Sequence, residues 1–332
     1  MKGKQGLVCM GLLLVLSSCH TGKQITASGL QRKDFQTEVN GQHTDLFTLS
    51  NKQGMEVCIT NYGARVVSIL VPDRNGKRED VVCGFSTITE YMEQRQNFGS
   101  TVGRYIGRIL NARFTLDGVE YKLVPNNGKS GHISHGGNPG FADRIWKVEQ
   151  ADTHRVRLSY LSPDGENGFP GNLKVTLVYS LGEDDNALDL TYEATTDAPT
   201  VLNLSHHSFF NISGNFTKSV EDQQLWVDAD RFTPYDDKKC VTGEYLQVAG
   251  TPLDFRMPHA IGECIDADHP QLKVVNGYDH TWELNTKGDD TRPAAWVYDP
   301  ASGRKMEIFT TEPGMQIYTG NGLKGKMTGK RG

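Results

Sequence analysis

Residues 172–196 read NLKVTLVYSLGEDDNALDLTYEATT, and this stretch decides the fold class. Apolar side chains alternate with polar ones on both sides of the turn Gly182-Glu183-Asp184-Asp185. A period of two residues is typical of a strand with one buried face, and a short turn between two such runs predicts a β-hairpin. The apolar positions are Val175, Leu177, Tyr179 and Leu181 before the turn, and Leu188, Leu190, Tyr192 and Ala194 after it.

Similar alternation extends this hairpin in both directions along the chain. Val156, Leu158 and Tyr160 alternate with polar residues, and the turn PDGENGFPG at 163–171 joins that run to the hairpin, which predicts a three-stranded antiparallel meander. Helical patterning is scarce: only residues 86–95 predict a short helix, with Ser86 as its cap. We therefore predict an all-β protein, a large antiparallel β-sandwich formed by one domain over 34–332. Further strand-like runs lie at 55–60, 65–71, 112–123 (with the hairpin turn Asp117-Gly118), 305–311 and 315–320.

The N-terminal residues are typical of an export signal rather than of the fold. Lys2 and Lys4 precede an apolar run over 7–16 that is too short to span a bilayer. The next residues, Leu16-Ser17-Ser18-Cys19, resemble a bacterial lipoprotein cleavage site, which implies a signal over 1–18 and a lipid on Cys19. An ordinary secretory signal with a chance cysteine is the alternative. Residues 19–33 are expected to form a polar tether, so that the lipid holds an exported protein on a bacterial membrane surface.

Composition narrows the possible partners. The 332 residues carry a formal net charge of -5, and no basic run is present, which argues against nucleic-acid binding. We expect a monomer. Of the cysteines that lie outside the signal and the lipid site, none has metal-ligand spacing with another, and both disulfides and buried free thiols stay open. These cysteines are Cys58, Cys83, Cys240 and Cys264.

Two adjacent histidines occur in the strand-like stretch NLSHHSFF at 203–210. Because successive side chains of a strand point to opposite faces, His206 and His207 cannot both face one site unless a bulge intervenes. One of them can face a cleft while the other faces the core or solvent. A structural role is the ordinary reading for either histidine taken alone.

Several stretches, taken in order, resemble the aldose 1-epimerase (galactose mutarotase) family. Their number and order, from about residue 40 onward, make the resemblance specific, although each stretch alone is weak. The resemblance implies the large sandwich of that family and an isomerase that interconverts the α and β anomers of free aldoses. The stretches are GRYIGRI at 103–109, SHGG at 134–137 with Gly140-Phe141 and Trp146 after it, PDGENGFPG at 163–171, TPLDFR at 251–256, GYDH at 277–280 and TTEPGMQIYTGN at 310–321.

The resemblance also implies a mechanism and a set of site residues. The cyclic sugar opens when a base removes the C1 hydroxyl proton and an acid protonates the ring oxygen, and this needs no nucleophile, metal or organic cofactor. His207 matches the general acid, and His206 is expected to be structural. The expected sugar contacts are Arg108, His135, Asp279 and Gln316, with Gly107, Ser208 and Phe209 beside them. Taken singly, Arg108 could be a strand-edge cation, Asp279 a turn cap and His135 a loop residue.

Two departures from the family pattern affect the expected activity. Gly107 stands where the family usually has asparagine, which puts the preferred sugar in doubt. The family's general base is a glutamate in a Leu-Glu-Thr-Gln-like stretch beyond the Tyr-Thr-Gly-Asn segment, and no glutamate follows Glu312. The sequence is therefore expected to be C-terminally truncated, with the base beyond Gly332, and to have severely reduced turnover.

Other functions stay open at this point. A hexose-6-phosphate epimerase would need cations around a phosphate, for which Arg104 and Arg108 are the obvious candidates. A sugar-binding lipoprotein without catalysis would use the same scaffold, and a glycan-degrading enzyme would need a second well-placed carboxylate. A bound Ca²⁺ also stays open, although the carboxylate-rich loop at 183–185 does not resemble a dedicated calcium loop.

Overall fold

The structure is a computed structural model that describes residues 24–323, 325 and 327–330. The predicted signal over 1–18 and the lipid site Cys19 lie outside the described residues. No helix in the described part of the chain is long and apolar enough to cross a lipid bilayer.

Antiparallel strands dominate the described residues, so the all-β prediction is confirmed. Four sheets have four strands each. The first sheet contains Leu46–Ser50, Glu56–Thr60, Arg65–Pro72 and Arg78–Asp80. The second contains Lys147–Ala151, Arg155–Ser162, Leu173–Leu181 and Leu188–Thr196. The third has the order His259–Ala260, Gln224–Val227, Ala295–Tyr298 and Lys305–Ile308. The fourth has the order Leu246–Gln247, Arg231–Thr233, Asp279–Glu283 and Gly314–Tyr318.

Short two-stranded pairs and short helices connect these sheets. The pairs join Glu38–Val39 to Gln42–His43, Thr101–Val102 to Ser205–His206, Arg108–Ile109 to Ile133–Ser134, and Arg113–Leu116 to Val119–Lys122. The α-helices are Ile88–Gln94 and Pro270–Val275, and the 3-10 helices are Arg32–Phe35, Leu110–Ala112, Gly128–Ser130, Phe141–Asp143, Glu166–Gly168 and Ile261–Glu263.

The predicted meander is confirmed as the second sheet. Leu173–Leu181 pairs with Leu188–Thr196 in the register that places Leu177 opposite Tyr192. The side chains of Val175, Leu177 and Tyr179 are fully buried, and burying each apolar side chain of this size contributes about 1.5–3 kcal/mol. The hydroxyl of Tyr179 donates to the carbonyl of Ala64 at 2.7 Å, which ties this sheet to the loop that precedes Arg65–Pro72 of the first sheet.

The two largest of the four apolar clusters in the described residues lie among the four-stranded sheets. One lies between the first and second sheets, where Val57 and Ile59 belong to the same cluster as Leu158 and Leu177. The other joins the third and fourth sheets, with Trp282 fully buried at its centre. The strand Glu56–Thr60 is buried along its whole length, and Cys58 belongs to a different cluster from Val57 and Ile59.

The predicted helix over 86–95 is shorter, and its cap is one residue later than expected. The helix spans Ile88–Gln94 with Thr87 as the N-cap. The Thr87 hydroxyl accepts from the backbone N–H of Glu90, and the Glu90 carboxylate accepts from the backbone N–H of Thr87. This reciprocal capping box makes Thr87 the N-cap instead of Ser86. The N–H of Ser86 donates to the same Glu90 carboxylate at 3.0 Å.

Within the segment 19–33 that is expected to form a tether, the described residues 24–33 contact the domain. Leu30 is buried among apolar side chains that include Phe35 and Leu46. The guanidinium of Arg32 donates to the carboxylate of Asp45 at 2.8 Å. Thr26 and Ser28 are buried as well, and the N–H of Ser28 donates to the carboxylate of Glu56 at 3.1 Å, so several contacts dock this polar segment on the domain.

Candidate active site

The backbone around His207 is held by a neighbouring turn. The N–H of His207 donates to the carbonyl of Ser100 at 2.9 Å, and the N–H of Gly99 donates to the carbonyl of His207 at 2.9 Å. The preceding strand pair, in which His206 lies opposite Thr101, fixes the direction of the chain. The sequence between 97 and 102 therefore sets where the His207 side chain points.

The two adjacent histidines lie on opposite sides of this strand, as alternation predicts. The His207 ring lies 5.4 Å from the His135 ring and stacks on Phe209 at 5.2 Å, both measured between centroids. The His206 ring instead lies 6.2 Å from Tyr179, and its Nε2 hydrogen-bonds to the hydroxyl of Ser208 at 2.6 Å. Ser208 therefore shares the side of His206, whereas Phe209 and His135 accompany His207.

The imidazoles on both sides are weak bases. Burial lowers the pKa of His206 to about 3, and it lowers the pKa of His135 to about 3 with help from the nearby charges of His207 and Arg108. Burial also lowers the pKa of His207 below its ordinary 6.5. This lowering makes His207 a stronger acid when protonated and leaves it mostly neutral at pH 7.

A hydrogen bond assigns the tautomer of His135. Its Nδ1 accepts from the backbone N–H of Gly107 at 3.2 Å, so the proton of the neutral ring belongs on Nε2. In return, the N–H of His135 donates to the carbonyl of Gly107 at 2.9 Å. This reciprocal pair fixes the imidazole against the loop that carries Arg108.

A hydrogen-bonded network lies where two strands of the fourth sheet meet. Asp279 is the register partner of Tyr318, and Thr281 is that of Gln316. The side-chain amide of Gln316 donates to the carboxylate of Asp279 at 2.6 Å and to the hydroxyl of Tyr235 at 3.3 Å. The hydroxyl of Thr281 donates to the amide oxygen of Gln316 at 3.2 Å. Burial raises the pKa of Asp279, while the bond from Gln316 and the charge of Arg108 oppose that rise.

Arg108 connects the imidazoles with this network through its charge. The same guanidinium lowers the pKa of His135 and acts to lower that of Asp279, so it lies within direct electrostatic reach of both. It also donates to the carbonyl of Lys239 at 2.9 Å. Aromatic contacts make a second connection, since Phe209 stacks on His207 and meets the edge of Tyr318 at 5.6 Å.

Gly107 leaves open space beside this cluster. Its φ is +77°, and a Cβ built there would meet nothing within 4 Å. Asparagine is among the side chains that tolerate a positive φ best. The backbone therefore keeps room for the side chain that the family pattern has at this position.

Arg104 has no role in this cluster. Its guanidinium is buried and donates to the carbonyls of Ser162, Pro163, Pro170 and Gly171 at 2.8–3.0 Å. A guanidinium saturated by carbonyls holds the turn at 163–171 and is not available to a phosphate. This removes one of the two cations that a phosphorylated sugar would need.

Two tyrosines in the cluster were not predicted from the sequence. Tyr235 bonds to Gln316, and burial raises the pKa of Tyr235 to about 12. The hydroxyl of Tyr318 accepts from the backbone N–H of Gly322 at 2.6 Å. Tyr235 lies in the loop that follows Arg231–Thr233, where no periodic pattern marks it, whereas Tyr318 belongs to a stretch already singled out by resemblance.

The described residues contain no group of three or more His, Cys, Asp or Glu side chains placed to hold a metal. Lys52 pairs with the carboxylates of Glu183 and Asp184 at 3.3 and 3.1 Å in the acidic turn. Cys58, Cys83, Cys240 and Cys264 are all free thiols, which answers the open question about disulfides within the described part of the chain.

The candidate site combines imidazole, guanidinium, carboxylate and amide groups in an all-β scaffold, and such groups exchange hydrogen bonds with hydroxyl groups. Comparison with known proteins identifies the family. The family model for aldose 1-epimerase matches residues 45–332. The chain is 38% identical to galactose mutarotase of Sus scrofa over 286 residues, 86% of this chain and 80% of that protein. It is 36% identical to aldose 1-epimerase of Escherichia coli K12, with 86% and 81% covered.

A solved structure supports the same assignment. Galactose 1-epimerase from Lactobacillus acidophilus NCFM superimposes with a TM-score of 0.76 at 30% identity, covering 86% of this chain and 81% of that one. The chain belongs to the aldose 1-epimerase family, a family of isomerases.

Proposed function

We propose that the protein interconverts the α and β anomers of free aldoses of the glucose and galactose type. The observation that carries this is the pairing of His207 with His135 at 5.4 Å, within the electrostatic reach of Arg108 that also includes Asp279. Family membership supports the reaction class.

His207 is proposed as the acid that protonates the ring oxygen when the hemiacetal opens. Its lowered pKa makes the imidazolium a stronger donor toward a weakly basic ether oxygen, at the cost of a smaller protonated fraction at neutral pH. A hydrogen bond between the imidazole and the backbone of His207 itself opposes that lowering of the pKa. The stacked ring of Phe209 restricts the imidazole to one plane.

The carboxylate side is proposed to hold the sugar hydroxyls. Asp279 accepts hydrogen bonds, Arg108 donates them, and Gln316 orients Asp279 through the 2.6 Å contact. Such groups bind the substrate and the transition state alike, and they hold C1 and the ring oxygen near His207. We assign the removal of the C1 hydroxyl proton to none of the described residues. The resemblance gives that step to a glutamate in a Leu-Glu-Thr-Gln-like stretch, which residues 1–332 do not contain.

Polarimetry of freshly dissolved α-glucose and α-galactose tests this function. We expect the protein to accelerate the approach of optical rotation to equilibrium only slowly, because no described residue is assigned as the base, and to act on free sugars in preference to glucose 6-phosphate. Saturable binding of sugar without acceleration would support the non-catalytic sugar-binding alternative. Acceleration confined to the phosphorylated sugar would support a hexose-6-phosphate epimerase.

The pairs of packed sheets support a finer architecture, which we propose to be the large antiparallel β-sandwich of the galactose mutarotase type. The first sheet shares one core with the second, and the third shares another with the fourth. The two solved structures with a TM-score of 0.76, from Lactobacillus acidophilus and C. elegans, provide the template for this arrangement.

We further propose that the protein is exported as a monomer and anchored to a bacterial membrane by a lipid on Cys19. The support is the charged start, the apolar run over 7–16 and the small residues before the cysteine. Cys19→Ser should move the protein from the membrane fraction to the soluble fraction of the same cells. No cofactor is proposed, and added Ca²⁺ should leave the rate unchanged.

A further inference from the structure

Arg65, the first residue of the strand Arg65–Pro72, places a positive charge in the interior of the protein. The residue is only 1% exposed. Its guanidinium carbon lies 4.6 Å from the ring centroid of Tyr91 and 5.5 Å from that of Tyr62. In the described part of the chain no carboxylate forms an ion pair with this guanidinium, although the charge of Asp143 acts on it. Because a buried charge without an ion-pair partner destabilises the folded state, the arrangement calls for an explanation other than stability.

The nitrogen atoms of this guanidinium bind two loops through backbone carbonyls. Nη1 donates to the carbonyls of Gln96 and Phe98 at 2.8 and 3.1 Å. Nη2 donates to the carbonyl of Ala142 at 2.9 Å, and Nε donates to that of Tyr62 at 3.3 Å. A planar guanidinium presents its donors in a fixed fork, so these bonds hold the two loops in a set position relative to each other.

Both loops belong to the histidine pair. The turn at 96–100 bonds to the backbone N–H and the backbone carbonyl of His207, each at 2.9 Å. Ala142 lies in the 3-10 helix that follows the loop of His135. The guanidinium therefore joins the segment that supports one imidazole to the segment that follows the other.

An aromatic contact connects the same turn to the acid by a second route. The ring of Phe98 meets that of Phe209 edge to face at 4.9 Å, and Phe209 stacks on His207 at 5.2 Å, both measured between centroids. Arg65 holds the carbonyl of Phe98. A shift of this turn would thus move both the backbone of His207 and the ring that restricts its imidazole.

Arg65 also acts on His207 through its charge. Burial makes the largest contribution to the lowered pKa of His207, and the positive charge of Arg65 adds to that lowering. His135 and His206, whose pKa values are about 3, are neutral at pH 7 and add no charge there. The titratable and charged groups on the neighbouring elements are His135, His206, Arg108, Asp143, Asp279 and Tyr318.

We propose that Arg65 is a positioning residue for the acid, which fixes the turn at 96–100 against the helix Phe141–Asp143 and thereby sets the direction of the His207 imidazole. The proposal rests on the proposed function, in which His207 donates the proton. Arg65 is too deeply buried to touch a sugar, so it acts through His207 alone. Its unpaired charge also favours the neutral imidazole between turnovers.

NMR of the full protein tests the position and the charge without requiring turnover, and His207→Ala identifies the His207 signals. Arg65→Met removes the charge and the carbonyl bonds, so the pKa of His207 should rise toward its ordinary value. Arg65→Lys keeps the charge, so that pKa should stay close to that of the unsubstituted protein. An ammonium lacks the planar fork that reaches both loops, so nuclear Overhauser contacts between the rings of His207 and Phe209 should weaken in both variants.

Arg304→Met is the matched control for both variants. Arg304 is also a buried arginine, and it donates to the carbonyls of Ile212, Ser213 and Lys77 at 2.9–3.3 Å. None of these carbonyls belongs to the turn at 96–100. The control should therefore lose stability in the same way while the pKa and the ring contacts of His207 stay unchanged.

Polarimetry adds a kinetic readout. In both Arg65 variants kcat for mutarotation should fall by about ten- to hundredfold with KM unchanged, as expected when a catalytic group is misplaced by roughly 1 Å. Circular dichroism checks the fold. Should Arg65→Met not fold, Arg65→Lys decides the matter, because a lower kcat at an unaltered His207 pKa reports position and not charge.

The outcomes separate the two proposals. Unchanged ring contacts and unchanged kcat in Arg65→Lys would overturn the positioning role, and so would an equal loss in Arg304→Met. A His207 pKa that does not rise in a folded Arg65→Met would overturn the effect of the charge. Absence of accelerated mutarotation by the unsubstituted protein would count against the proposed function, whereas the NMR measurements would still decide the role of Arg65.

Discussion

The two sides of the candidate site are built by different means. The imidazoles of His135 and His207 come from loops and one short strand pair, and their rings meet other rings rather than hydrogen-bonding side chains. Asp279 and Gln316 come from neighbouring strands of one sheet and are joined by a 2.6 Å hydrogen bond. A proton donor needs a free nitrogen and an adjustable charge, whereas a binding carboxylate needs a fixed direction. The difference fits the proposed division, in which the imidazole side transfers the proton and the carboxylate side holds the substrate.

Removing the imidazole of His207 is the most severe test of that division. His207→Ala should lower kcat for mutarotation by about 10²- to 10⁴-fold, the usual contribution of a general acid, while the sugar still binds. Polarimetry gives the rate, and circular dichroism checks the fold. His43→Ala is the control, because the His43 side chain is 79% exposed and distant in sequence from the site. Unchanged acceleration by His207→Ala would refute the assignment.

Neutralising Asp279 should affect binding more than turnover. Asp279→Asn keeps the size of the side chain but removes charge-assisted hydrogen bonds worth about 1.5–3 kcal/mol, so KM should rise roughly ten- to hundredfold with a smaller change in kcat. Initial rates over a range of sugar concentrations separate the two constants. Asp290→Asn, at an exposed position, should change neither. A fall in kcat at constant KM would place Asp279 in the chemical step instead.

Acidification should distinguish the buried imidazoles from Asp279 by the sign of their effect on the free energy of unfolding. The pKa of His135 and of His206 is about 3 in the folded protein and near 6.5 when unfolded, so the unfolded state binds more protons below pH 6.5. The free energy of unfolding should therefore fall as the pH is lowered from 7 to 5, a window above the ordinary carboxylate range. Asp279, whose pKa is raised, contributes with the opposite sign at lower pH.

Urea unfolding at intervals of half a pH unit measures this slope. His206→Phe keeps a ring beside Tyr179 but has no proton to bind, so its slope between pH 7 and 5 should be smaller than that of the unsubstituted protein. An unfolding midpoint that does not change over this window would show that burial of these imidazoles does not govern the acid response.

The smallest expected effect is at the boundary between the two sides. Gly107→Asn would place an amide in open space beside Arg108, and we expect sugar affinity to rise by up to about tenfold, the value of one hydrogen bond. Gly107→Ala is the matched control, because it introduces the same backbone cost at φ +77° without the amide. Calorimetry on both variants gives the comparison. Equal affinities for the two variants would mean that the amide does not reach the sugar.

Period-two alternation was enough to predict the sheets that bury one face. The meander over 155–196 and the hairpin at Asp117-Gly118 were both predicted from local pattern, and Asp117 and Gly118 indeed have positive φ, as a tight hairpin requires. Alternation also placed His206 and His207 on opposite sides. These features depend on neighbours in sequence, which is why the sequence shows them.

Features that depend on distant partners were not predictable in the same way. Docking of residues 24–33 depends on Asp45 and on a core that includes Leu46. The sequence of the segment itself does not identify these partners. Tyr235 joins the Asp279 network only because its loop lies beside Gln316. The lowered pKa of His207 follows from burial by the whole fold, and no local pattern reports it.

The aromatic contact between Phe209 and Tyr318 has a consequence for substrate range. Phe209 stacks on His207 with the ring planes inclined by 29° and meets the edge of Tyr318, the register partner of Asp279, so a chain of aromatic contacts runs from His207 to the strand pair that carries Asp279. Exchanging Phe209 for a larger or smaller residue would therefore change the separation of His207 and Asp279 that a pyranose must span, without changing any strand.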